Sequence, residues 1–160
     1  MKYQLASLLL AVAACSSQTS TVVASDSMVA VNNARVELVE QGGIAALESS
    51  RIVRHDDRFF SYVQRHLCGT GNCGAPIDTA AGSLSPAAAD SLFGIVLAAS
   101  PLTLNEDYGT TKGGADMVAY TLTVFTLAGT RTIHADDGTM PAPMRRIINA
   151  VHGIVGAARK

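Results

Sequence analysis

Two cysteines with four residues between them sit in a glycine-rich run, "CGTGNCGAP", where Gly69, Gly71 and Gly74 reproduce the spacing G-x-G-x-x-G. Three chemistries fit these residue types: a phosphate cradle, half of a thiolate metal site, or a small disulfide ring. A dinucleotide turn needs a strand before the glycines and a helix opening at them. The glycines lead instead into "APIDTAAGS", in which Pro76 and Gly82 frame an extended stretch, and Asp90, at the distance of a ribose ligand, falls early in a helical pattern. Nucleotide binding is therefore not expected. A Cys-x4-Cys pair without a second ligand pair leaves two zinc positions unfilled, so no metal site is expected either. The other titratable clusters are His55-Asp56-Asp57 and His134-Ala135-Asp136-Asp137. Both fall at turn signals, where aspartate is favoured because its side chain bonds the local backbone, and both read as surface turns. The chain contains no H-E-x-x-H, G-x-S-x-G or Walker motif. No enzymatic activity is expected, and no cofactor.

The choice among thiol chemistries depends on the compartment, which the N-terminus addresses. Lys2 precedes an apolar run over residues 5–14 that ends in "VAAC" at Cys15. This is the layout of an export signal, and it is too short to span a bilayer, which takes about 20 residues. "VAAC" resembles the lipobox of bacterial lipoproteins. By that resemblance residues 1–14 are a cleaved signal peptide, and Cys15 carries a diacylglycerol group and a further acyl chain that hold the protein on a membrane. Ser16 after the cysteine implies sorting to the outer membrane, facing the periplasm. Residues 15–33, rich in Ser, Thr and Val, read as a tether, and its last eighteen residues reach roughly 20–25 Å as a flexible coil. In an exported chain Cys68 and Cys73 are the two remaining cysteines, and a disulfide closing a short glycine loop is the economical reading.

These features need a scaffold, and about 125 residues from Asn33 onward are the size of one domain. The net charge is −1 for the whole chain and about −2 once Lys2 is removed, so no basic face for nucleic acid is implied. With no Trp, four Phe and four Tyr, the core must come mainly from Leu, Ile, Val and Ala. Residues 34–43 read as a strand ending in Gly42-Gly43. Residues 44–55 and 58–67 read as two further strands joined by a turn at His55, Asp56 and Asp57. Ser85 and Pro86 begin a helix whose Ala89, Leu92, Phe93, Val96 and Ala99 recur at helical spacing until Ser100 and Pro101. Residues 117–127 alternate as a strand, with Val118, Tyr120, Leu122 and Val124 on one face. Ala128 and Gly129 turn the chain into "TRTIHA", which pairs back. Pro141 and Pro143 open a last helix with a stripe of Met144, Ile147, Ile148, Val151 and Val155. The expected fold is α+β, an antiparallel sheet with two amphipathic helices packed on one face.

Taken in order, "VELVEQGGIA", "IDTAAGSLSPAAADSLFGIVLAA", "GADMVAYTLTV" and "DDGTMPAPMRRIINAV" resemble the emfourin family, small protein inhibitors of protealysin and related thermolysin-like metalloproteases. The matching positions are Gly42, Gly43, Leu84, Ser85, Pro86, Asp116, Tyr120, Gly138 and Pro141. The likeness spans most of residues 35–155 and leaves residues 54–76, with the Cys68-Cys73 loop, as an apparent insertion in the 34–160 domain. The resemblance implies inhibition by cleft occlusion. The loops that would contact a protease are Gly42, Gly43 and Ile44, and the loop ending at Gly113, Gly114 and Asp116. The expected alternative is an envelope lipoprotein that binds another protein without inhibiting it.

Overall fold

The alternating strands of the sequence pair into one six-stranded antiparallel sheet, in a computed structural model that describes residues 33–67, 74–112 and 116–159. The cysteines Cys15, Cys68 and Cys73, and the loop glycines Gly113 and Gly114, lie outside the described residues. The strands are β1 (Arg35–Gly42), β2 (Leu47–Arg54), β3 (Phe59–His66), β4 (Pro76–Ser83), β5 (Val118–Thr126) and β6 (Gly129–Asp136), in the spatial order β4-β3-β2-β1-β5-β6. The helices are α1 (Pro86–Ala98) and α2 (Ala142–Ala158), with a single 3-10 turn at Pro101–Thr103. The α+β expectation is met.

Helix α1 begins where its cap chemistry places it. The Ser85 side chain accepts from the Ala88 N–H at 3.2 Å, and Pro86 supplies the first helical residue without needing a donor. Ser100, held at φ +49, and Pro101 then turn the chain out of the helix. All five stripe residues of α1, and all five of α2, are buried with the sheet in one core.

Register shows how that core is graded. Val124, Val36, Val53 and Phe60 stand in one cross-strand row, and the next is Ile133, Leu122, Leu38, Arg51 and Tyr62. A third row runs Ala135, Tyr120, Glu40, Ser49 and Gln64. Side chains opposed in antiparallel strands share a face. The helix-covered face therefore passes from apolar, with Arg131 at its β6 edge, to largely polar toward the end of the sheet where β1 stops and β2 starts.

Within residues 54–76 the expected third strand forms as β3, which pairs with β2 on one side and β4 on the other and buries Phe60 and Tyr62. One expectation needs correction. The surface-turn reading holds for Asp56 and Asp57, which are exposed, and Asp57 accepts from the Phe59 N–H as a turn aspartate does. It fails at the second cluster: His134 lies within β6, and Asp136 is buried. Strand pairing runs one residue past the expected "TRTIHA" segment, to Asp136, and a run of hydrogen-bond donors closes over that carboxylate.

Candidate functional site

Because the strands are antiparallel, the β1–β2 turn, the end of β3, the start of β4, the approach to β5 and the exit from β6 all gather at one end of the sheet. Four residues make the β1–β2 turn, and three conformations that favour glycine set its shape: Gly42 at φ +111, Gly43 at φ +71 and Ala46 at φ +46. The Gly43 N–H donates to the Met117 carbonyl at 3.4 Å, and the Ala46 carbonyl accepts from the Leu67 N–H at 2.8 Å. The turn is thus tied on both flanks. At its tip Ile44 is 88% exposed, the most exposed large apolar side chain among the described residues.

The structure brings the β1–β2 turn beside Met117 and Asp116, the described end of the second sequence-derived loop. Gly42 and Gly43 are half-buried against Met117, next to exposed Asp116. The glycines act through backbone shape, and Ile44 and Asp116 are the side chains offered to solvent. Gly113 and Gly114 precede Asp116 outside the described residues. Leu67 and Gly74, which flank the cysteine segment, lie at this same end.

Asp136 and Asp137 brace the site from behind. The Asp136 carboxylate accepts from the backbone N–H of Thr111, from the Thr111 hydroxyl at 2.8 Å, and from the N–H groups of Gly138 and Thr139, both at 2.9 Å. These bonds, the Thr111 N–H first, hold its pKa well below the ordinary carboxylate range. Its own surface is 4% exposed, and this burial works against ionisation, but the hydrogen bonds together outweigh it. Asp137 faces the other way and accepts from the Val118 N–H at 3.1 Å and the Tyr120 hydroxyl at 2.8 Å. Burial, then that hydrogen bond, push the Tyr120 phenol up to about 12.

Beneath the turn lies a polar cavity of about 240 Å³ lined by Glu40, Gly42, Leu47, Ser49, Arg51, Gln64, Val118 and Tyr120. Glu40 and Arg51 form a mostly buried ion pair, their side chains 12% and 15% exposed, and the Ser49 hydroxyl donates to the same Glu40 oxygen at 2.7 Å. Arg51 also lies over the Tyr62 ring, and burial lowers its pKa. His152 of α2 brings Nε2 to 2.8 Å from the other Glu40 oxygen without hydrogen-bond geometry, so this is a close approach rather than a bond. Burial first, and then the Arg51 charge, pull the His152 pKa down to about 4. The ring is neutral near neutrality.

Sequence reasoning missed Glu40, Arg51 and His152. A readable signal existed for two of them: Glu40 is in phase with buried Val36 and Leu38, and Arg51 with Val53. The cavity holds the Glu40–Arg51 ion pair, with the Ser49 hydroxyl donating to Glu40. His55 and His134 do not converge. His55 packs edge-on against Phe93 at 5.2 Å, with Nε2 3.0 Å from Asp90, while His134 bonds Thr121 on the opposite side of the sheet. Among the described residues no group of three or more His, Cys, Asp or Glu is placed to hold a metal ion. The geometry is that of a braced, presented turn over a polar cavity that holds an ion pair. No protein-family model matches the chain, and no curated protein matches it.

Proposed function

We propose that this chain is a non-catalytic, lipid-anchored protein-binding domain of the bacterial envelope that occludes the cleft of a thermolysin-like metalloprotease. The observation that carries the reading is the juxtaposition of the Ile44 turn with Asp116, held by the Gly43 to Met117 contact and presenting an apolar side chain that is 88% exposed. A loop already fixed in shape loses little conformational freedom on binding, so more of the contact energy appears as affinity. Ile44 supplies the apolar anchor, Asp116 the polar flank, and the Glu40–Arg51 pair keeps the floor under the turn rigid. The emfourin resemblance supplies the protease class.

The test is a titration of the chain against a thermolysin-like protease, followed through cleavage of a small peptide. Inhibition at stoichiometric concentration, lost in Ile44→Asp with unchanged melting, is the expected result. Full protease activity across several such enzymes would remove the inhibitor reading. The alternative is then a non-inhibitory binding module, favoured by the arrival of the cysteine segment's flanks at the same end of the sheet.

A further inference from the structure

The two edges of the sheet are treated differently. The outer edge of β6 is guarded by the chain itself: Asp107 bridges His134 in parallel, the Tyr108 N–H donates to the His134 carbonyl at 3.0 Å, and the His134 N–H donates to the Glu106 carbonyl at 2.7 Å. Arg131 reinforces that cover by donating to the Leu104 carbonyl and to Glu106. The β4 edge has no such cover among the described residues. Its residues are Pro76, Ile77, Asp78, Thr79, Ala80, Ala81, Gly82 and Ser83. Natural edges are blunted by lysine, by proline, by bulges or by a covering segment. Here Pro76 and the register shift between Gln64 and Arg65 blunt only the first residues. From Ile77 onward there is no lysine and no proline, and the one charge, Asp78, is already paired with Arg159.

We infer that β4 is a self-association strand, pairing antiparallel with β4 of a second copy of this chain to continue the sheet across a two-fold axis. The occupant follows from the edge's own character. A two-fold centred on Thr79 sets Ile77, which is 50% exposed, beside the partner copy's Ala81, and Asp78 beside its Ala80. No like charges are opposed, and Ile77 meets only the small Ala81 across the junction. A second copy also arrives as a strand already ordered by β3, whereas a flexible peptide would first have to be ordered. The pairing is isologous and closes on itself as a dimer.

The test uses the full chain produced in bacteria with a photo-crosslinking residue at Ile77. The expected result is an adduct of twice the chain mass, containing this chain alone, with the link mapped within residues 79–83 of the other copy. A photo-crosslinking residue at Leu127, on the β5–β6 turn, gives none. Adding Thr79→Lys and Ala81→Lys opposes like charges in the pairing and lowers the adduct yield about tenfold, with unchanged melting because both positions are exposed. Sedimentation of the unsubstituted full chain in detergent gives the protein mass of two copies. A single-copy mass, an adduct to a different protein, or a yield indifferent to the lysines overturns the inference.

Discussion

Replacing Gly42 by Ala should cost far more than replacing its neighbour Gly43, although both hold positive φ in the same turn. At Gly42, φ is +111, and an added Cβ would lie 2.7 Å from the Met117 carbonyl oxygen. That oxygen is backbone and cannot rotate away. At Gly43, φ is +71, and the nearest atom to an added Cβ is a Val118 methyl at 3.6 Å, an ordinary contact. Holding an alanine in the left-handed region costs about 1–2 kcal/mol, which is the whole expectation for Gly43→Ala. Gly42→Ala adds the displacement of a packed backbone group, about 1–3 kcal/mol by analogy with overpacking. The expected losses are about 3 kcal/mol and about 1 kcal/mol. In a domain of this size they translate into falls in melting temperature of about 10 °C and about 4 °C. Urea and thermal unfolding of the two variants measure the difference directly. Equal losses, or a Gly42→Ala loss below about 1 kcal/mol, would refute the claim that the Met117 carbonyl fixes the turn.

Other outcomes follow from the polar row. Arg51→Met leaves Glu40 buried without its partner and should cost about 3 kcal/mol, whereas Glu40→Gln with Arg51→Met should recover most of that loss in denaturant unfolding. The same Arg51→Met change removes the cation nearest His152, so its imidazole, followed by NMR titration, should take up a proton at higher pH than in the parent chain. His152 has its pKa lowered from 6.5 to about 4 in the fold. The unfolded chain therefore binds the extra proton in that window, and stability falls as pH drops from about 6.5 toward 4. With a side chain 38% exposed, the contribution is about 1–2 kcal/mol after allowing for solvent screening, and His152→Gln should flatten it in melts run across that range. Asp136 works in the acid region, where its depressed pKa means stabilisation present above the ordinary carboxylate range and lost as pH falls below it. Tyr120→Phe removes the hydroxyl donor to Asp137, which should cost about 1 kcal/mol and abolish the phenol that ionises near pH 12 in an ultraviolet titration.

Elements whose own residues carry their instructions were legible in the sequence. Ser85 and Pro86 start α1 whatever surrounds them, and the stripes of α1 and α2 repeat often enough to identify the buried face. Strand β4 was legible only as an extended stretch, because Pro76, Asp78, Ala80, Ala81 and Gly82 have little strand preference. Pairing with β3 makes it a strand, a tertiary effect that overrides local propensity. The candidate turn could be read from Gly42 and Gly43, since paired glycines after an alternating run mark a reversal. Its floor was only partly legible. Glu40 and Arg51 share the phase of buried neighbours, and Tyr120 that of Leu122 and Val124, but with His152 they lie on four different elements that only register and packing set side by side. The adjacent Asp136 and Asp137 were hidden in another way: two neighbours in a turn suggest one shared surface role, yet their carboxylates hold opposite sides of the same loop.

That last arrangement bears on how the protein can change over generations. Thr111 is fastened to Asp136 and Val118 to Asp137, so the segment between them is clamped at both ends to consecutive residues of one turn. Lys112 and Asp116, the exposed described residues just inside those clamps, can then vary without disturbing them, as fittings are changed between fixed rails. Over generations, or in a protein engineer's library, both positions are open to rewriting while the sheet stays intact.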